Sequence, residues 1–223
     1  MNACQLLQNR MANRNKHGQA LGLKGEQSRQ RIVNAARVQI AKAPATRITA
    51  SEVAREAGLA SQTFYLYFKD IDEVLLMLSE EAAADLGDVY QSLAKEWEPH
   101  SPAEQSKRFI DSLMAYWDRN RPVLNMRNFL ADAGHPDFLR SRERAAMPIV
   151  NLMTDRIMDA HASDQLDRRK AFARSVIIFS AIERLASRPA TMTHHGTSVE
   201  SEMIAQDLRA AEQDILTLLF SPA

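Results

Sequence analysis

Cysteine is almost absent: Cys4 is the single one in 223 residues, which excludes an intrachain disulfide and a cysteine-based zinc site and fits a reducing compartment. Glycine (7) and proline (8) are sparse as well, against the turn-rich composition of a β-sandwich or barrel. No apolar run approaches the roughly 20 residues that span a bilayer. The longest candidate, Ser175 to Ile182, is stopped by Arg174 and Glu183. The stretch MNACQLLQNRMANRNK lacks the continuous apolar segment of a signal peptide. Catalytic signatures are missing too, with no G-x-G-x-x-G, P-loop or G-x-S-x-G pattern. His194-His195 sits in a polar loop without further ligands at metal-site spacing, so it reads as a pair of solvated histidines. These absences predict a soluble, cytoplasmic protein with no membrane partner, no catalytic residues, no metal and no cofactor.

What is present is an ordinary globular balance, 45% hydrophobic and 25% charged. The formal net charge is zero, but it is unevenly spread. Residues 1–70 hold 11 Lys and Arg against 4 Asp and Glu, a surplus of +7 that the rest of the chain cancels. A basic head on an acidic body suggests that one end meets a polyanion.

Helical periodicity runs through nearly the whole chain, so the predicted fold class is all-α, with about nine helices. Residues 1–24 lack periodicity and read as a flexible basic arm. Ile32, Ala35, Ala36 and Ile40 then mark a helix from about Glu26 to Ala43, ended by Pro44. Thr49-Ala50-Ser51-Glu52 is a capping box that opens a short helix stopped by Gly58. Another short helix covers Ser61–Phe68, and Asp70-Ile71-Asp72-Glu73 caps a long one carrying Val74, Leu75, Leu78, Ala82 and Leu86 on one side. Ser101-Pro102-Ala103-Glu104 starts a helix to about residue 119, Pro122 restarts the chain, and Ala133-Gly134 stops it. From Pro136 to His161 the pattern is helical again, with Pro148 inside to kink or divide it. Two last helices, about 166–187 and 199–220, flank the loop RPATMTHHGTS.

Two short helices joined at Gly58-Leu59-Ala60 form a helix-turn-helix. Val53, Ala54, Ala57, Leu59, Phe64 and Phe68 are its expected core, leaving Ser61, Gln62, Thr63, Tyr65 and Tyr67 outside. A major groove about 12 Å wide admits such a helix, where Gln and Thr read base edges. Tyrosine hydroxyls and Lys69 suit phosphate oxygens. The alternative is a helical hairpin that merely packs.

The stretch ITASEVAREAGLASQTFYLYFKDIDEVL, Ile48 to Leu75, resembles the DNA-binding signature of the TetR family of transcriptional regulators. The resemblance implies double-stranded DNA as a partner, with phosphate contacts from Thr49, Thr63, Tyr65 and Tyr67 and base-edge contacts from Ser61, Gln62 and Leu66. It departs from the family pattern where Ala60-Ser61-Gln62 replaces Ser-Lys-Gly, and where Ile71 replaces a phosphate-binding lysine. The serine cap is thus missing, unless Ser61 shifts the helix start by one residue. Lys69 and Arg47 are the compensating cations. The arm, with Arg10, Arg14, Lys16 and Lys24, either enters an adjacent minor groove, stays an unbound tail, or is an extension upstream of a start at Met11. The implied division is arm 1–24, helix-turn-helix domain 25–71, and regulatory and dimerisation domain 72–223.

In that larger part, Ile204, Leu208, Ala211, Ile215 and Leu218 step 4, 3, 4, 3, and Phe172, Val176, Phe179 and Ala186 give a similar seam. Such seams either close the chain's own core or join two copies; the resemblance implies a homodimer, whose symmetry matches a palindromic operator. Met114, Trp117, Met126, Phe129 and Met153 are candidates for lining an apolar small-molecule pocket, although residues at helical spacing equally build core. Glu183 either binds ligand polar groups or pairs with an arginine. The expected function is a dimeric repressor released by a small apolar or amphipathic ligand. The competing class is a helical carrier or enzyme whose basic head is incidental.

Overall fold

The computed structural model describes residues 21–42, 48–94, 101–162, 166–188 and 198–221. All regular structure among them is α-helical: α1 (Leu23–Lys42), α2 (Ala50–Glu56), α3 (Ser61–Tyr67), α4 (Ile71–Ala84), α5 (Gly87–Ala94), α6 (Pro102–Asp132), α7 (Pro136–Ala160), α8 (Arg168–Ala186) and α9 (Ser198–Phe220). No described helix is long and apolar enough to cross a membrane.

The chain divides into two compact units. One holds the described residues up to Ala82 together with Asn125–Ser141, and the other holds Ala83–Leu124 with Arg142 onward. In the first, α1, α2 and α3 pack on one another around Ile32, Val33, Ala36, Val53, Phe64 and Phe68, all essentially inaccessible. Val74, Leu75 and Leu78 of α4 are buried as well. In the second, Phe109, Trp117, Met153, Ile157, Phe179 and Leu216 are among the buried side chains. Polar links complement that packing: Thr154 Oγ1 donates to Ser175 Oγ (3.2 Å), and Arg156 Nε donates to the Leu93 carbonyl (3.0 Å).

The total of nine described helices agrees with the sequence expectation, yet two elements differ. Pro122 does not restart the chain; α6 runs through it from Pro102 to Asp132. The proline faces solvent, so the Asp118 carbonyl that loses its amide donor is on the wet side. Tyr116, Trp117, Val123 and Leu124, buried on either side, hold the helix through that position. Pro148 is also exposed and α7 likewise stays undivided. Conversely, the helix expected to continue from Asp70 through Leu86 ends at Ala84, and α5 begins at Gly87. Asp85 between them accepts from Arg119 Nε (3.0 Å) and Asn120 Nδ2 (2.9 Å), a pin from α6 that local periodicity cannot reveal. The Asn120 hydrogen bond, with smaller help from Arg119, holds the Asp85 carboxyl below its usual value.

Candidate nucleic-acid interface

The helix-turn-helix is built as the sequence predicts, with fuller detail at its ends. Thr49 caps α2: its Oγ1 accepts from the Glu52 amide (3.2 Å), while Glu52 Oε2 accepts from the Thr49 amide (3.2 Å). The threonine hydroxyl also donates to Glu52 Oε2 (2.9 Å). Thr49 is therefore exposed but already engaged, so a phosphate contact from it has to share or replace that bond. At the other end Gly58 takes φ +65°. The Gly58 amide donates to the Arg55 carbonyl (3.0 Å) and the Leu59 amide to that of Ala54 (2.9 Å), the paired bonds of a Schellman stop. Arg31 of α1 donates to the Ala57 and Gly58 carbonyls, neutralising the negative end of α2.

α3 is capped less well. Its N-cap is Ala60, which offers no side-chain bond, so Ser61 does not move the helix start. Ser61 Oγ instead reaches Ser51 Oγ of α2 at 3.4 Å. Seven residues are too few for a helix that is stable alone, and the bracing comes from successive pairs one turn apart. Phe64 and Phe68 are buried, with rings 5.6 Å apart. Thr63 and Tyr67 are half-buried. Gln62 and Leu66 are exposed, and the Tyr65 ring beside them makes a T-shaped contact with Phe64, centroids 5.4 Å apart. Tyr65 is 44% exposed and Leu66 55%, large apolar surfaces left to solvent on an otherwise well-packed unit.

Arg29, which sequence reasoning passed over, holds the exit of α3. Its guanidinium lies 5.1 Å from the Phe68 ring centroid and donates to Met77 Sδ (3.0 Å) on α4. Burial lowers its pKa, an effect that Glu73 and Glu81 oppose. No local motif announces this role; it depends on α1, α3 and α4 meeting. Lys69 is exposed and pairs with Asp70 (3.5 Å). The capping box expected at Asp70 is offset: Asp70 Oδ1 accepts from the Glu73 amide (3.0 Å), but Glu73 Oε2 accepts from Lys69 N (2.6 Å). In the same unit, His135 Nδ1 stands 3.9 Å from Asp72 Oδ2 in the first turn of α4. Arg47, residues 1–20 of the arm and His194-His195 lie outside the described residues.

The candidate pocket residues are not gathered in one unit. Trp117 and Met153 are buried and Met114 half-buried in the second unit, whereas Met126 is buried in the first. Phe129, also in the first, is 48% exposed, contrary to an enclosed position. The candidate seams divide differently. Ile204, Leu208, Ala211, Ile215 and Leu218 all face outward on α9, while Glu212, Leu216 and Phe220 face inward. On α8, Phe172 and Val176 face outward with Ile177, but Phe179 joins the inner stripe of Ala171, Ser175, Ile182 and Ala186. The expected α8 seam thus mixes two faces, because both carry apolar residues. Glu183, half-buried, has an interaction partner. Glu212 is the unexpected group: buried, with no hydrogen-bond partner for Oε2 among the described residues, and with its pKa pushed by burial up to about 7 against the opposing charge of Arg209.

The profile described as "Bacterial regulatory proteins, tetR family" matches residues 32–78, which hold α2, α3 and most of α1 and α4. "Tetracyclin repressor-like, C-terminal domain" matches residues 90–215, more than half of the chain. No curated protein sequence matches. Among solved structures, a bacterial regulatory protein of the tetR family from Rhodococcus RHA1 aligns with TM-score 0.59 at 17% identity, over 88% of this chain and 98% of that one. The fatty acid degradation regulator FadR of Bacillus halodurans gives TM-score 0.55 at 17% identity, over 91% and 97% of the two chains. PfmR of Thermus thermophilus gives 0.56 at 15%, over 83% and 97%. At such low identity the likeness is one of fold.

Proposed function

We propose, for a chain that belongs to the tetR family of bacterial regulatory proteins, that it is a cytoplasmic, non-catalytic homodimeric repressor that binds a palindromic operator and is released by a small apolar or amphipathic ligand. The observation that carries this reading is the outward face of α3, where Gln62, Tyr65 and Leu66 stand exposed on a helix otherwise locked by Phe64 and Phe68. Residues 25–71 serve DNA binding and residues 72–223 serve regulation and dimerisation. Gln62, Leu66 and Ser61 approach base edges; Thr63, Tyr65, Tyr67 and Lys69, with Thr49 and Arg47, approach phosphates. The outward apolar faces of α8 and α9 supply the dimer contact, since isolated solvation of so many aliphatic side chains on neighbouring turns is unfavourable.

Release works by population shift. A ligand that favours a differently arranged state weakens DNA binding, and DNA weakens ligand binding by the same factor. A coupling of about 1–3 kcal/mol lowers operator affinity roughly 5- to 150-fold. α6 and α7 meet at the Gly134 turn, and His135 beside it faces Asp72 at the start of α4. That contact lies within the first unit, where it ties the turn between α6 and α7 to the helix that follows α3. Mobility shifts on DNA upstream of the reading frame, at two salt concentrations, test the reading: a shift that weakens with salt is expected, and no shift at low salt with folded protein refutes it. Gln62→Ala and Tyr65→Ala should weaken binding while preserving helical content. If Gln62→Ala lowers affinity for all DNA equally, its base-reading role is wrong.

A further inference from the structure

We infer, on the DNA-binding function just proposed, that Leu66 is a specificity-determining residue that reads the C5-methyl group of thymine in the major groove, and that Gln62 reads an adenine about two base-pair steps away. Leu66 is the one side chain of α3 that is wholly aliphatic, yet it is 55% exposed. Each other large residue of that helix has a partner or a polar tip. Phe64 packs inside, Tyr65 rests on Phe64, and Tyr67 carries a hydroxyl. The apolar feature that a duplex offers in its major groove is the thymine methyl; phosphates, sugars and the edges of the other bases present polar atoms.

Gln62 and Leu66 are one helical turn apart and both face outward. The separation along the axis is about 6 Å for four residues, or roughly two steps of the 3.4 Å base-pair repeat. Glutamine satisfies adenine at N6 and N7 together. The pair therefore selects A·T-containing half-sites, one pair recognised through its purine and another through its pyrimidine methyl. The glutamine at position 62 adds a base-reading group, and the leucine one turn later supplies the complementary apolar reading.

Uracil lacks only this methyl group, which makes the inference testable at the level of a single group. Duplexes are selected from a random-sequence pool with the full-length protein, then each thymine is replaced singly by deoxyuridine and affinity is measured for wild type and Leu66→Ala. The substituted side chain is exposed and alanine favours helix, so the variant keeps its fold, which far-UV circular dichroism verifies. At one or two thymines of each half-site, uracil should weaken wild-type binding about three- to fourfold, the effect of one buried methyl, and Leu66→Ala should not distinguish the two bases there. Equal wild-type affinity for thymine and uracil everywhere, or an undiminished uracil penalty in Leu66→Ala, overturns the inference while leaving DNA binding in place. Recovery of no duplex above the non-specific background at low salt overturns the proposed function, and the inference with it.

Discussion

Replacing Glu212 by glutamine should stabilise the protein at pH 8 and remove much of its pH dependence between about pH 5 and 8. Glu212 points inward from α9, one turn before Leu216 and two before Phe220, and is 6% exposed. Its Oε2 has no hydrogen-bond partner among the described residues, and burial raises the carboxyl from 4.5 to about 7, with Arg209 pulling the other way. The native state thus holds this proton more tightly than the unfolded chain does. Stability from this group is fully present below the unfolded value and is lost as pH rises through the native one, so the whole penalty applies above pH 7. That displacement corresponds to roughly 3 kcal/mol as an upper bound, and water near a partly relaxed site reduces it to about 1–3 kcal/mol. Glutamine keeps the shape and carries no charge, so it escapes the penalty. At about 2–4 °C per kcal/mol for a chain of this size, Glu212→Gln should raise the melting temperature by roughly 2–12 °C at pH 8 and by much less at pH 5. Thermal unfolding followed by circular dichroism from pH 5 to 9, at one fixed protein concentration because association shifts apparent stability, makes the comparison. Parallel curves for the two proteins would show that Glu212 is not the group being titrated.

Gly58→Ala should cost more than Gly134→Ala in urea unfolding. Both glycines have positive φ, +65° and +90°, a strain of about 1–2 kcal/mol for alanine, but a Cβ on Gly58 meets Arg31 Nη2 at 2.8 Å whereas one on Gly134 meets nothing within 4 Å. The excess should be about 1 kcal/mol, the worth of the displaced arginine hydrogen bonds, and Arg31→Met should abolish it. Arg121→Met should destabilise by about 1.5–3 kcal/mol, because Arg121 donates to the Ala186 and Arg188 carbonyls at the end of α8; an unchanged denaturation midpoint would refute that role. If α9 joins two copies as proposed, Ile215→Arg, on its outward face, should shift sedimentation from dimer to monomer at equal protein concentration, and identical sedimentation of the two proteins refutes that contact.

Much of the first unit is legible in the sequence because its signals are local. Thr49 and Glu52 are three residues apart and fix the start of α2 without help from anything distant. Gly58 stops the helix because the left-handed conformation costs glycine little. What escapes reading depends on meetings between elements. Asp85 ends α4 by receiving Arg119 and Asn120 from α6. Pro122 fails to end α6 because buried neighbours outweigh one missing amide at the surface. The faces of α8 and α9 are harder for another reason. Helices that are apolar on two sides satisfy more than one heptad register, so spacing alone puts Phe179 in one seam with Phe172 and Val176 although it is buried and they are exposed, while Ile204, Leu208 and Ile215 share one exposed face apart from the buried Leu216.

The two halves of the helix-turn-helix are secured by different means, and this decides where its DNA reading is vulnerable. α2 is fixed at both ends by bonds of its own, the capping box at Thr49 and the Schellman stop at Gly58 reinforced by Arg31. α3 has no side-chain cap at Ala60 and only seven residues, so its position is inherited from Phe64 and Phe68 beneath it, Ser51 beside it and Arg29 over its exit. Arg29 in turn touches Met77 and feels Glu73 and Glu81, all on α4. On the proposed release mechanism, a displacement of α4 would reach the base of α3 through this half-buried, charged contact, whereas the end bonds of α2 described above come from α2 itself and from α1. Coupling through this route needs no rearrangement of the helix-turn-helix core: it needs only that α3 be the less independently anchored of the two helices, which its caps make it.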